Sequence, residues 1–346
     1  MRHLTRRLCA IAALSIPAIT SVHAAPAYTL TASVPLGGPE RWDYVAFDPA
    51  TQRVYVAHGD NITVVDAARL TVAGQLSELQ GAHGVAPVPD LGKVFADSGR
   101  TGTVTEFDAK TLASHTTIKA VDDADGMLYD PATHQVVVLG GGATAGFIDP
   151  ATDNLISVLP LGGKPEGAAS DTKGHLYVAL ADREEVAVID MTAHQVGARL
   201  PLHGCHKPHG VALDATANRL FVSCPEGKMA VLDTANGKQV ALLPIGKFTD
   251  AAVFDATRHV ALSANADGTL GVVAETPSGV RSIGNMKTTP GARTLAIDPA
   301  TGRLFIVAAT VVKTGAPRKP GGRPELTFAP GSLHLLVYAP VTAPQH

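Results

Sequence analysis

The chain has 346 residues, 45% of them hydrophobic and 17% charged, with a formal net charge of −3. A weakly charged, acidic chain lacks the basic face that nucleic-acid binding depends on, which argues against that class of partner. The length would allow two domains. However, glycine and proline are spread evenly and no linker interrupts the pattern before residue 310, which predicts a single domain over residues 25–346.

The first element in chain order is a leader. Arg2, Arg6 and Arg7 precede an apolar run over 8–19, and Val22-His23-Ala24 has the small-x-small form of a cleavage site. This order predicts a secretory signal peptide over 1–24, cut after Ala24, and export to the periplasm or beyond. The run is too short to cross a bilayer, which needs roughly twenty apolar residues, and no later segment is long enough. Cys9 stands before most of the apolar run, which does not fit a lipoprotein cysteine. Residues 1–24 hold three of the 28 Lys+Arg and no acid, so cleavage leaves 25 against 31 Asp+Glu, a net −6.

Short runs of β-branched residues bounded by Gly, Asp and Pro then recur to the end of the chain, as expected of many short strands. The clearest copies of the repeat are 44–66, 167–190 and 210–233. The last residues of the first strands fall at Asp48, Val88, Asp130, Asp171, Asp214, Asp255 and Asp298, with steps of 40, 42, 41, 43, 41 and 43. Each unit reads as four strands. A four-stranded unit cannot bury both faces alone, but seven packed around an axis share one core. The fold class is therefore all-β, a seven-bladed β-propeller with four-stranded antiparallel blades. The seventh unit lacks a fourth strand, and the segment 28–35 (YTLTASVP) matches fourth strands elsewhere. The N-terminal strand is thus expected to complete the last blade and close the ring.

Phrases such as ITVVDAA, VAVIDMT, RVYVAHG and HLYVALA resemble the YVTN-type, YncE-like family of bacterial β-propellers, over nearly the whole chain after the leader. WDYVAFDPA, GAHGVAPVPDLGK and GARTLAIDPATGRLF resemble one exported branch of it. The resemblance implies the propeller and the periplasm. It implies little chemistry, because propellers host unrelated activities.

In such a ring, loops entering first strands share a face, here called the top, with loops leaving second strands. The residues five before the seven anchors are Asp43, His83, Asp125, Glu166, His209, Asp250 and Arg293, all ionisable. They are expected to ring the top mouth of the central channel. Four carboxylates facing one channel either raise their pKa values or attract a cation. Asp125, Glu166 and His209 are the candidate ligands of a divalent metal ion, the one cofactor the sequence suggests. His83, His209 and Glu166 are the candidate acid–base groups. Arg293 suits a ligand carboxylate or phosphate, or a neighbouring acid. Trp42 is either an aromatic wall of this site or a loop anchor.

His203, Cys205, His206 and His209 form a second cluster, open to two readings. One is a metal site. The other is a Cys205–Cys224 disulfide, which export and an even cysteine pair favour. Segment 311–331 interrupts the last unit between its second and third strands. Pro317, Pro320, Gly321, Gly322, Pro324 and Pro330 predict irregular structure, and Lys313, Arg318, Lys319 and Arg323 make it the only basic patch. It is either a lid over an anionic ligand or a solvated loop.

Three functions remain open. One is binding of a small ligand, metal ion or metal chelate at the mouth. Another is metal-dependent hydrolysis or lysis by the same ring. The third is a scaffold for a periplasmic or outer-membrane protein partner. A closed propeller needs no oligomer for its core, so a monomer is expected.

Overall fold

The computed structural model describes residues 28–341, so the expected leader and its cleavage point lie outside the described residues. Seven four-stranded antiparallel sheets form the blades, and no helix among the described residues is long and apolar enough to cross a membrane. Within each blade the second and third strands are buried on both faces. In the first blade, Arg53–His58 and Asn61–Asp66 bury every residue except Arg53, Asn61 and Asp66. Fourth strands are edges and stay half-solvated, as in Asn154–Pro160, where exposed and partly buried residues alternate. This gradient explains why the middle strands read as continuous apolar runs and the outer ones as alternations.

The recurrent Asp that ends third strands has a local cause. Asp66 accepts hydrogen bonds from the backbone N–H groups of Ala68 and Arg69 at 2.9 and 2.8 Å, and Asp190 from those of Thr192 and Ala193 at 2.9 and 2.8 Å. The carboxylate stops the strand by folding the next turn around itself. Seven apolar clusters hold the blades together, one at each blade–blade boundary. At the junction of the last and first blades, Phe305, Val307 and Leu335 pack on Val54 and Val56.

The ring closes as the repeat predicts. Tyr28–Gly37 pairs antiparallel with Leu333–Pro340, and the last sheet continues through Leu304–Ala308 to Leu295–Ile297. Segment 311–331 differs from expectation. It is not irregular throughout: Val311–Gly315 pairs with Glu325–Phe328 as an antiparallel ribbon. Apart from Gly315, its prolines and glycines fall in the tip and the exit, and alternating residues such as Leu326 and Phe328 supply the ribbon's inner face.

Candidate functional site

The seven ring residues reach the top mouth by two routes. Asp43, Asp125, Glu166 and Asp250 are each the second residue of a first strand: Trp42–Asp48, Ala124–Asp130, Pro165–Ser170 and Thr249–Asp255. Each sits where the register with the second strand slips. Such a bulge re-aims a side chain, here toward the channel. His83, His209 and Arg293 instead precede shorter first strands, Val85–Val88, Val211–Asp214 and Leu295–Ile297. Their carbonyls accept hydrogen bonds from the preceding blade: His83 from Tyr44 N–H at 3.2 Å, His209 from Gly167 N–H at 2.9 Å, and Arg293 from Asp250 and Ala251 N–H at 3.2 and 3.1 Å. The glycines after the two histidines permit an equally close approach to the following blade. A Cβ on Gly84 would stand 2.8 Å from Asp125 O, and one on Gly210 2.5 Å from the Ala251 carbonyl carbon. Acids thus ride on bulged strands and bases on segments that lean against a neighbour.

Six of the seven, all but His83, line a cavity of about 660 Å³ together with Tyr44, Lys164, His206, Lys207, Glu226 and Arg323. His83 stands beside it, with Nδ1 2.7 Å from Asp43 and 3.8 Å from Asp125. The acids are not left to repel one another. Lys164 Nζ lies 2.9 Å from Glu166, and His209 Nε2 4.0 Å from the same carboxylate. Arg293 pairs with Asp250, and Arg323 Nη1 approaches Asp250 to 3.9 Å.

The hydrogen bond to Asp43 raises the His83 pKa to about 9, against the cost of burial. His83 is therefore an imidazolium at neutral pH. Burial, then the Asp43 charge, pushes Asp125 up to about 6, and burial raises Asp250. Counting Lys164, Arg293, Arg323 and protonated His83 against the four carboxylates, the mouth is close to neutral, not −3 as the seven positions alone imply.

Two readings of the sequence change, and a third, the Cys205–Cys224 bond, holds. Asp125, Glu166 and His209 do not converge on a metal position. The compact donor set at the mouth is Asp43, His83 and Asp125, whose nearest ligand atoms lie within 4.8 Å of one another. His209 Nδ1 is bound to the Lys207 carbonyl at 2.6 Å, which leaves Nε2 facing Glu166. Trp42 is no wall of the cavity. It is buried under the mouth, packs on Phe328 of the ribbon at 5.2 Å, and carries the Arg293 guanidinium over its ring. The cysteines take the disulfide reading: Cys205 and Cys224 are bonded, with Cα atoms 5.6 Å apart. His206 then faces the mouth with its Nδ1 2.7 Å from Glu184.

Two residues were missed, Tyr44 and Lys164, while Arg323 was placed on the candidate lid without being singled out. Tyr44 had a readable signal. The position after each ring residue holds Tyr44, Gly84, Gly126, Gly167, Gly210, Ala251 and Thr294. One large side chain in a column of small ones fills the space the others leave. Tyr44 lies between the mouth and the narrower channel beneath it, lining both. Burial and the surrounding Asp125, Asp43, Glu166 and Asp250 charges hold its phenol well above the usual range, hence neutral.

No family model matches the chain, and no curated protein matches its sequence. Solved structures do match. A chain from the crystal structure of a mitotic checkpoint complex is similar with a TM-score of 0.74 at 14% identity, covering 97% of this chain and 99% of that one. A chain of Kuenenia stuttgartiensis hydrazine synthase is similar with a TM-score of 0.67 at 14% identity, covering 84% and 96%. At such identity the likeness carries the propeller fold alone.

Proposed function

We propose that this chain is an exported, periplasmic propeller that binds a small polar ligand at its top mouth. The observation that carries the reading is the cavity of about 660 Å³, within the range of small-molecule sites, walled by ionisable side chains from several blades and from the ribbon. Its charges are largely paired with one another, so a ligand exchanges partners with groups already positioned instead of having to neutralise a bare acidic ring. Export rests on the reading of residues 1–24 and is supported by the Cys205–Cys224 disulfide.

A divalent ion held by Asp43, His83 and Asp125 is a second reading, favoured by their convergence. Binding would have to displace the His83 proton, so uptake should strengthen as pH rises toward 9 and release acid. The same proton counts against His83 as a general base near neutral pH; it is placed to donate.

The test is native mass spectrometry with elemental analysis on protein isolated gently from the periplasm of an expressing host. A stoichiometric small molecule, lost in Glu166→Ala and His209→Ala, supports the ligand reading. A stoichiometric metal lost in Asp43→Asn supports the second. Protein that is empty and takes up neither sinks both.

A further inference from the structure

We infer that the mouth is an anion receptor in which Arg293 and Arg323 together seat a carboxylate or phosphate group of the ligand. The inference deepens the binding reading above and rests on it.

Arg293 is the fixed half. Its guanidinium lies over the Trp42 ring, 5.2 Å from the centroid, and its Nη2 donates to the Trp42 carbonyl at 2.8 Å. It also pairs with Asp250. Stacking, hydrogen bond and ion pair hold the planar fork in one orientation before a ligand arrives.

Arg323 is the delivered half. It comes from the tip of the ribbon, whose base is tied down on both sides. Phe328 packs on the same Trp42 at 5.2 Å, Ser332 Oγ accepts from Thr310 N–H at 3.0 Å, and Gly331 N–H donates to Glu40. Gly321, Gly322 and Arg323 then reach over the mouth and line the cavity. At 3.9 Å from Asp250 the Arg323 guanidinium is near a carboxylate but not hydrogen-bonded to it, and it makes no hydrogen bond among the described residues. One carboxylate thus stands against two guanidiniums. The mutual repulsion is felt: burial and Arg293 both push the Arg323 pKa down.

The space fits the charge. A second cavity of about 570 Å³, lined by Arg293, Arg318, Lys319 and Arg323, meets the mouth at Arg293, Gly322 and Arg323. Its one acid, Glu325, is taken by Arg318. The seam between the cavities therefore offers two guanidinium forks, one rigid and one with all its donors unused, and the planar geometry of each matches an oxyanion. The neutral mouth beyond leaves room for the rest of the molecule.

The experiment is calorimetric titration of the full mature chain with inorganic phosphate and, separately, with succinate. Arg323→Gln is the test variant, and Lys313→Gln, which removes a charge from the ribbon away from the seam, is the control. Both variants are first checked for an unchanged melting temperature. Saturable binding of either anion, weakened about tenfold or more in Arg323→Gln and unchanged in Lys313→Gln, supports the inference. The tighter anion names the group. No saturable binding of either anion overturns it, as does equal binding by wild type and Arg323→Gln. If native mass spectrometry meanwhile finds a neutral or cationic molecule at the mouth, the cavity reading stands and only the anion seat falls.

Discussion

At the residue scale, one contact decides the charge of the mouth. His83 Nδ1 lies 2.7 Å from Asp43, and that hydrogen bond outweighs the burial that would otherwise keep the ring neutral. Asp43→Asn should therefore lower the His83 midpoint from about 9 toward the ordinary 6.5, read from the imidazole carbon shifts by NMR. A midpoint that stays near 9 would mean that Asp125 or the buried Asp97 dominates. The folded-state pKa is raised, so the stability it contributes is fully present below about 6.5 and is lost as pH climbs through 9. The sequence revealed Asp43 and His83 because the repeat places them at one position. It did not reveal their pairing, since adjacent blades bring together residues 40 apart. Arg323 was harder still. It lies outside the repeat, so no column exists in which to compare it.

At the element scale, the first strands come in two forms that spacing could not separate. The four acid-bearing strands are bulged, and the three base-bearing ones start late. The following glycine does not separate them either: Gly84 and Gly210 follow the histidines of late strands, Gly126 and Gly167 the acids of bulged ones. The HGCHKPHG segment allowed a metal reading beside the favoured disulfide because imidazoles and a thiol share one loop; the fold decides it by placing Cys224 within bonding distance of Cys205. With the bond formed, both cysteines are buried between blades 4 and 5. The bond closes a sequence separation of 19 residues. Replacing both cysteines by alanine should cost about 3 kcal/mol in denaturant unfolding. Dithiothreitol should weaken the wild type and leave the double variant unchanged; an equal response in both would show that the bond contributes nothing to stability.

At the scale of the whole molecule, the face opposite the mouth links four of the seven blade boundaries in one way. The start of a second strand reaches the turn after the third strand of the next blade. Arg53 bonds the Ala109 carbonyl, Lys93 meets Asp153 at 2.7 Å, His194 meets Gln135 at 2.9 Å, and Arg303 joins the last blade to the first on the Ala67 carbonyl at 2.9 Å. Between blades 5 and 6 the pattern changes. Arg219 turns to Asp233 of its own blade at 3.3 Å, and the neighbouring Glu275 is left against Asp214, with His259 also at hand. Burial, then a hydrogen bond shared with Asp214, pushes Glu275 up to about 7, with Arg219 opposing. A proton on Glu275 relieves the repulsion between the two carboxyls, and this junction is a link that pH can weaken. Since the folded-state pKa is raised, its stabilisation is complete below about 4.5 and lost as pH rises through 7. His83 adds a separate loss nearer 9, so the two contributions occupy different windows. Glu275→Gln keeps the hydrogen bond and removes the charge. It should melt like the wild type at pH 4 and above it at pH 8, with His83 still contributing equally to both. Parallel melting curves at the two pH values would show instead that solvent, not Asp214, governs the Glu275 proton.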